Sequence, residues 1–531
     1  MLDMPAPIAT VASTFEQQCG PQQQCTMAPR EERMAQASGS QAGGTQAGGT
    51  QAGGSATRLP EGGPSTPTSK KAAATPPAGK DITTFYDRDG VKARWYFQGG
   101  LNLVGERHLF WDFASVYAPG ARFNSDENWL EGYVKPGIGF DKTAPSGKVL
   151  YGKLSAVASR TWGTDAFDAT NGHATTLEEG YLGLRTTKDP ANVDLSLGPR
   201  ELELGSGMLI ANGGTSGFER GALKFGPRKA WKHAAIGRLV HGSGTFTAYA
   251  IAPNELPSNN GHNRLAGADY RYQTDSEDFI GLTYIKVLRS DSPYIRASPD
   301  GLGPPTIIPD GRDGLNALNF YFSKSPGTGT FRNWHFTGDL AYERNKRINM
   351  VAWGGRAQIG YTFAQAAWKP TLTYSYKLFT GDNPTTSRLE RFDPLYYEGS
   401  PDAWATGSKS SMVFINSNLK AHELALAMQM SSKNAMTLRY AYIAADRLAS
   451  PIQFGQATRV VSTPSGFNSI AGVTKHHLSD DVFLEYNHIY SQHVFLTAGI
   501  SASFPGAGIK AAFPGKAPTW TGAFVNVVVN Y

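Results

Sequence analysis

The sequence lacks any long apolar run. No stretch approaches the roughly 20 consecutive apolar residues that a membrane-spanning helix needs, and the mean hydropathy is −0.34. Only 18% of the residues are charged. The net charge is +6, but the lysines and arginines are spread singly, without the basic run or basic helix that indicates nucleic-acid binding. We therefore expect neither a helical membrane protein nor a nucleic-acid partner.

Cysteine is also scarce. The two cysteines, Cys19 and Cys25, both lie in the first 80 residues. A cysteine-free remainder is typical of a protein that passes through an oxidising compartment. Two cysteines without further Cys or His nearby do not predict a metal site.

The first 80 residues are of low complexity. A Gln-Ala-Gly-Gly-Thr/Ser repeat fills residues 41–55, and a Pro/Ser/Thr-rich stretch follows. Such a composition buries too little apolar surface to offset its ordering entropy, so we predict a disordered tail over 1–80. A periplasmic tether and a plain linker both remain open. Residues 1–14 lack the basic and apolar segments of an export signal, which leaves a removed signal or a different start open.

The remainder, residues 81–531, has a period of two. In residues 92–104, Trp95, Phe97 and Leu101 alternate with Arg94 and Gln98, and residues 334–344, 351–363 and 368–378 repeat the pattern. These segments exceed the ~5–6 residues of an average soluble strand and match the ~9–11 of a tilted membrane strand. Short turns alternate with long Gly/Pro-rich loops, as in outer-membrane barrels. We predict an all-β fold: a transmembrane antiparallel up-and-down β-barrel of about 18 strands.

The last strand ends on an aromatic residue. Ala523, Val525, Val527, Val529 and Tyr531 share one face. An amphipathic final strand with a terminal aromatic resembles the signal that outer-membrane proteins present to their assembly machinery. We therefore predict that machinery as a partner, together with outer-membrane lipid and lipopolysaccharide.

Strand parity also assigns side chains to the inside of the barrel, because successive residues face opposite sides. The predicted pore-lining or substrate-contacting residues are Arg94, Lys153, Arg185, Arg271, Asp339, Glu343, Arg356, Lys369, Lys377, Arg439 and Glu485. Cations are in excess in this set, and rings of Arg and Lys favour anions. Arginine also binds carboxylates bidentately. The alternative is that these charges only keep the pore wet and pair across strands.

Catalytic and metal motifs are not found. Asp339 and Glu343 share a face but lie about 13 Å apart on a strand, beyond the 5–9.5 Å of glycosidase carboxylates. Metal-protease and phosphate-loop patterns are absent from the sequence. Ordinary loop and turn residues are the preferred interpretation of two groups that could also bind metals. The candidate metal site is His476, His477, His488 and His493, and the candidate calcium site is Asp382, Asn383, Asp393 and Asp402. We predict no enzyme, no cofactor and no metal.

Two stretches resemble the alginate-export family of outer-membrane porins. The first runs over residues 197–209 and 218–221, with Arg200, Gly205, Gly207 and Arg220, and is similar to the family's Gly-Arg-Gln…Gly-Ser-Gly-Arg-Leu strand pair. The second is similar to its Gly-Asp and Phe-Asp-Pro-Leu signature and comprises Gly381, Asp382, Phe392, Asp393, Pro394 and Leu395. Pro199 interrupts the Gly-Arg-Gln triplet, and Met208 stands where an arginine is common in the family. The resemblance thus implies the channel more firmly than it implies alginate.

These observations predict a monomeric porin in the Gram-negative outer membrane, with its tail in the periplasm. It would pass anionic or polar solutes by passive diffusion, and the family resemblance implies export of an acidic polysaccharide such as alginate. One alternative is an uptake channel for small organic anions. The other is a plugged barrel that serves as a structural or adhesive surface protein.

Overall fold

The computed structural model describes most of the chain from residue 83 onward. The described residues are 83–112, 124–186, 191–274, 278–296, 298–299, 306–399, 412–451, 457–463, 466–512 and 515–531. The predicted tail, with Cys19 and Cys25, lies outside them.

The described residues form 23 strands. In the first half these are β1 (Thr84–Arg88), β2 (Val91–Arg107), β3 (Glu127–Thr143), β4 (Lys148–Trp162), β5 (His173–Thr186), β6 (Ala191–Leu197), β7 (His233–His241), β8 (Gly244–Ala252), β9 (Arg264–Gln273), β10 (Phe279–Arg289), β11 (Tyr294–Arg296) and β12 (Thr306–Ile308). In the second half they are β13 (Asn316–Lys324), β14 (Trp334–Asn345), β15 (Met350–Thr362), β16 (Thr371–Phe379), β17 (Leu419–Gln429), β18 (Asn434–Ala445), β19 (Ala457–Thr463), β20 (Gly466–Ala471), β21 (His477–Ile489), β22 (Val494–Pro505) and β23 (Trp520–Asn530).

Helix is minor among the described residues. There is one short α-helix, α1 (Ala507–Ala512), and the single 3₁₀ turns are Phe218–Arg220, Pro257–Asn259 and Gly329–Phe331. Residues Leu109–Asp112 form a turn with positive φ at Phe110 and Trp111. No described helix has the length and apolar character required to cross a membrane.

Eighteen of the strands close into a barrel. Each of the eighteen pairs antiparallel with its neighbours in chain order. The hairpins β11–β12 and β19–β20 and the short β1 are not counted among them. The barrel closes where β23 pairs with β2, with Leu101 opposite Val527. The β1 strand pairs with the start of β2. It continues along β2 from the point where β23 ends, since the N–H of Tyr531 donates to the Phe97 carbonyl (2.8 Å). The predicted fold class and strand number are confirmed.

The two faces of the wall differ as the alternation predicts. Along β14, Leu340 points outward and is 54% exposed, whereas the adjacent Asp339 points inward and is 6% exposed. The final strand follows the same rule, with Val525 and Val527 outward and Asn526 inward and buried. An apolar exterior around a polar interior suits a wall that contacts lipid.

The connections differ between the two ends of the barrel. At the end that carries Tyr531 they are short, such as residues 144–147, 242–243 and 430–433. At the other end the long connections are residues 198–232, 290–315, 380–418 and 446–476, although residues 346–349 make a short one there. Short turns are periplasmic and long loops external in such barrels, so both ends of the barrel-forming chain lie on the periplasmic side.

Aromatic pairs mark both membrane interfaces on the outer wall. Trp95 and Tyr531 meet at the periplasmic end, with ring centroids 5.7 Å apart. Tyr342 and Trp353 meet near the external end, with centroids 4.6 Å apart. Between these girdles the outward side chains are predominantly apolar, which gives the band that faces hydrocarbon.

Candidate functional site

One row of inward positions runs across the interior of the barrel. Strand register places its members directly opposite one another, from β9 to β16: Arg271, Gly281, Tyr321, Asp339, Arg356 and Lys377. Arg356 lies 3.3 Å from Asp339, and Lys377 lies 3.0 Å from Glu423 on the neighbouring β17. Several of the residues that parity assigned to the inside thus lie in one row, in which Arg356 and Lys377 are paired with carboxylates.

Other predicted residues form further inward pairs. Arg439 on β18 lies 3.8 Å from Glu485 on β21, and Lys153 on β4 lies 2.7 Å from Glu179 on β5. Pairing across strands is therefore common inside this barrel, as one of the two interpretations of the sequence expected.

A different arrangement occurs near the periplasmic mouth. Arg94 on β2 and Arg185 on β5 both bind Asp141 on β3, at 3.1 and 3.0 Å. These three side chains carry two positive charges and one negative charge. All three side chains are partly exposed, which leaves the charge open to solutes inside the barrel.

Three predicted residues differ from the pairs above. Glu343 is fully buried and accepts the N–H of Asp393 (2.8 Å). Arg271 is buried with its guanidinium 3.8 Å from the centre of the Phe279 ring. Lys369 lies in the turn between β15 and β16, exposed and with a positive φ. Its predicted place on an inward strand face is wrong, because β16 begins only at Thr371 and alternation does not extend through the turn.

Residues 198–232, which we call the inner loop, enter the barrel between β6 and β7. The loop is closed at its base, where Arg200 and Trp231 exchange two backbone hydrogen bonds (3.3 and 3.0 Å). Beyond this base the Ser206 hydroxyl donates to Asp339 on β14, several strands around the wall. The loop therefore crosses the interior. The expectation that residues 197–209 form a strand pair is wrong.

Backbone geometry explains why this stretch does not continue the sheet. Gly205 and Gly207 have φ values of 62° and 77°, a region that favours glycine and turns the chain out of a ladder. A Cβ on Gly205 would lie 3.1 Å from the Tyr321 ring, so the backbone approaches the wall as closely as a glycine permits.

The returning half of the inner loop is fastened to the other side of the wall. The Glu131 carboxylate on β3 accepts the N–H groups of Lys224 and Phe225 (2.9–3.1 Å), and the Lys224 ammonium lies 3.4 Å from Glu106 on β2. Lys135 on β3 binds Glu201 at 2.9 Å. The Lys135 ammonium holds the pKa of the Glu201 carboxyl well below its usual range, so this anchor stays ionised.

Arginines of the same loop are held by neutral groups. Arg228 is fully buried and donates to the Thr176 hydroxyl (2.7 Å), the Ser159 hydroxyl (2.9 Å) and the Ala174 carbonyl (3.0 Å). Burial lowers the pKa of Arg228 to about 10. The family-motif residue Arg220 donates to the carbonyls of Asn254 and Glu255, both at 2.8 Å. These arginines position the loop rather than offering charge to a solute.

Residues 380–418, which we call the motif loop, carry the second family stretch and are described over 380–399 and 412–418. The Arg312 guanidinium donates two hydrogen bonds of 2.7 Å each to the Asp393 carboxylate. Asp382 accepts the N–H of Glu390 (2.9 Å), and burial raises the pKa of the Asp382 carboxyl. Phe392 and Leu395 are fully buried, and Pro394 continues the same buried segment. A Cβ on Gly381 would meet the Asn418 side chain at 1.9 Å, so this position requires glycine.

The two loops dock on one another inside the barrel. The Tyr396 N–H donates to the Leu209 carbonyl (2.9 Å), and the Tyr396 carbonyl accepts the N–H of Ala211 (2.8 Å). Lys229 lies 3.2 Å from Glu398, and the Glu398 N–H donates to the Gly207 carbonyl (2.8 Å). The two stretches that carry the family resemblance therefore form one unit, which narrows the interior. Sequence reasoning missed this contact, although both stretches combine glycines with buried polar residues outside any alternating pattern.

Metal-binding clusters are not found among the described residues. His477 lies 2.9 Å from Asp480, and His476 and His493 contact backbone carbonyls (both 2.8 Å). Asp402, one of the candidate calcium ligands, lies outside the described residues.

Comparison with known families gives one match. The model of the alginate export family matches residues 317–522, which include the second motif stretch and the wall from β13 to β23. The predicted resemblance to this family is confirmed. Among curated protein sequences, none matches this chain.

Several solved outer-membrane proteins align with this chain at low sequence identity. The outer membrane protein opdK from Pseudomonas aeruginosa has 8% identity over 83% of this chain and 98% of its own, with a TM-score of 0.47. OccK2 (OpdF) from the same organism, solved in complex with glucuronate, has 9% identity over 82% and 96%, with a TM-score of 0.46. OmpT of Vibrio cholerae has 11% identity over 84% and 99%, with a TM-score of 0.35.

Proposed function

Because this chain is an outer-membrane β-barrel that matches the alginate export family over residues 317–522, we propose that it is a passive channel for anionic solutes, with an acidic polysaccharide as the substrate class. A closed wall of about 18 strands encloses an aqueous path in such barrels, and the docked inner and motif loops set its width. The channel needs no cofactor and catalyses no reaction. It works as a monomer, and its final strand serves the assembly machinery.

The cluster of Arg94, Arg185 and Asp141 carries this proposal. It holds two guanidinium groups and one carboxylate, all partly exposed, at the periplasmic mouth. Fixed cations within low-dielectric walls raise the local concentration of anions. The planar guanidinium group of arginine can also bind a carboxylate through two parallel hydrogen bonds, and uronate groups are carboxylates.

The test is the reversal potential of the purified protein in planar bilayers under a KCl gradient. We expect anion selectivity in the native channel. In an Arg94→Glu/Arg185→Glu variant the cluster turns strongly negative, and we expect the preference to shift towards cations. The matched control is Lys142→Glu/Lys148→Glu, because these exposed lysines face outward at the same end of the barrel. Equal permeability ratios in all three proteins would refute the role of the cluster.

Current block separates the candidate substrates. An oligouronate should block the native channel at lower concentration than a neutral oligosaccharide of the same length. Block by small aromatic acids, without block by oligouronate, would favour the uptake channel. A barrel that inserts but never conducts would favour the surface protein.

A further inference from the structure

Four cations stand together on the outer face of the wall at its external end. Arg264 begins β9, Lys286 and Arg289 lie near the end of β10, and Arg344 lies near the end of β14. All four are exposed. Arg264, Lys286 and Arg344 point outward, because the adjacent Leu265, Ile285, Val287 and Glu343 point inward and are buried. Arg289 shares the face of Arg264, which it opposes across a β-bulge. We call these four residues the rim patch.

Strand register brings the rim patch together. Arg264 is directly opposite Arg289, across a β-bulge that follows Val287. Lys286 is opposite Asn316 on β13, and Asn316 is opposite Arg344. Two strand spacings therefore separate the backbones of Lys286 and Arg344, or about 10 Å. Four positive side chains thus share one small area of the outer surface.

The charges of the rim patch are poorly balanced. Among the described residues, no carboxylate pairs with Arg264, Lys286 or Arg344. Arg289 lies 3.7 Å from Asp291, but Asp291 also binds His262 at 2.6 Å. Like charges directly opposite in a sheet are destabilising. An anion from outside the chain would relieve this repulsion.

Another sector of the same rim is arranged differently. Lys420 near the start of β17 lies 2.8 Å from Asp446, and Arg447 lies 3.8 Å from the same carboxylate. Each cation of this sector therefore lies within 4 Å of a carboxylate. Arg264, Lys286 and Arg344 have no such partner in the part of the chain that the structure describes.

The depth of the rim patch identifies the anion. The external aromatic girdle lies directly on the membrane side, with Tyr342 against Trp353 and the Tyr284 hydroxyl donating to Asn316 (2.8 Å). Tyrosine and tryptophan mark the head-group level of a bilayer. Cations just outside that level meet the charged groups of lipid heads, and clustered Lys and Arg recognise lipid phosphates.

We propose that the rim patch binds the phosphate groups of lipopolysaccharide in the outer leaflet. The proposal concerns the outer face and is independent of what passes through the channel.

The experiment measures binding of bisphosphorylated lipid A to the full-length protein in detergent. The variant is Lys286→Gln/Arg344→Gln, which removes two charges and keeps the hydrogen-bonding side chains. We expect its affinity to fall roughly thirty-fold, because each Lys or Arg near an anionic membrane surface contributes about 1 kcal/mol. The control Lys420→Gln/Arg447→Gln should bind like the native protein. Far-UV circular dichroism confirms that each variant keeps its β-structure.

Two further lipids identify the source of the phosphate. Dephosphorylated lipid A should bind weakly and equally to all variants. Phosphatidylglycerol should bind more weakly than lipid A to the native protein. Equal affinity of lipid A for the native protein and the rim variant would overturn the site. Equal preference for phosphatidylglycerol would overturn its assignment to lipopolysaccharide.

Discussion

The barrel wall and the loops inside it are stabilised in different ways. The wall is a continuous ladder of backbone hydrogen bonds between strands that are neighbours in the sequence, and each side chain takes its environment from its parity. The inner and motif loops come from distant parts of the chain and are joined by individual contacts, such as Tyr396 with Leu209. The wall should therefore tolerate most inward substitutions, whereas single side chains should decide whether the loops dock.

The largest effect is expected at Arg312. Replacing Arg312 with alanine removes both hydrogen bonds to Asp393 and leaves a largely buried carboxylate without its partner, which costs about 3–5 kcal/mol. We expect the motif loop to undock while the barrel stays folded. Hydrogen exchange of the Phe392 and Tyr396 amides measures this.

Arg347→Ala is the matched control. Arg347 pairs with Asp313, but its side chain is about half exposed, so its loss should cost little. If both variants leave exchange unchanged, individual ion pairs do not hold the motif loop.

The next effect tests the wall. Leu340 lies mid-strand on the lipid-facing side, so Leu340→Arg should destabilise the barrel by about 2–4 kcal/mol. Gln358→Arg places the same residue on the inward face, and we expect a much smaller change there. Unfolding by guanidinium in lipid vesicles compares the two. Equal losses would contradict the assignment of the two faces.

A smaller effect is expected when a serine hydroxyl is removed from the inner loop, compared with removal of a serine hydroxyl from the wall. Ser206→Ala removes the donor that ties the inner loop to Asp339, at a cost of about 1 kcal/mol. We expect more frequent fluctuations of single-channel current. Ser375→Ala removes an acceptor for Gln358 within the wall and should leave the current steady. If the single-channel current is steady in both variants, Ser206 does not limit the motion of the inner loop.

The smallest effect is a pH dependence in residues 163–172, between β4 and β5. Burial raises the pKa of Asp165 to about 7, while its carboxylate accepts the N–H groups of Phe167 and Ala169. Because the folded loop binds this proton more tightly than an unfolded carboxyl of pKa about 3.9 does, local stability should be highest below pH 4. It should fall as the pH rises to 7 and then stay level.

Asp165→Asn should remove this dependence. The readout is hydrogen exchange of the Ala169 amide, corrected for the intrinsic effect of pH. A local stability that rises between pH 4 and 7 in the native protein would contradict the raised pKa.

The sequence predicts the wall well because alternation is a local property. The segments around residues 334–344 and 351–363 were placed on strands close to their observed bounds, and Asp339, Glu343 and Arg356 point inward as parity requires. The strand number comes from counting the candidate segments and from the even number that closure of a single-chain barrel favours. Assignment by alternation fails at Lys369, because this residue lies in a turn with positive φ, where side chains no longer alternate between the two faces.

The interior could not be predicted in the same way. Residues 198–232 have no period, and their place depends on contacts such as Ser206 with Asp339 and Lys224 with Glu106, which join distant parts of the chain. The family resemblance pointed to the correct residues, but it assigned residues 197–209 to strands. The position of this stretch inside the barrel and its contact with the motif loop become visible only in the folded structure.

The central claim is that the docked loops set the width of an open channel, and shortening the inner loop tests it most directly. Because Arg200 and Trp231 are paired across its base, residues 203–228 can be replaced by a two-glycine turn without straining β6 and β7. Single-channel conductance in planar bilayers is then compared with that of the native protein. We expect a measurable native conductance and a severalfold larger one in the shortened variant. Equal conductances, or no current from either protein, would contradict the claim.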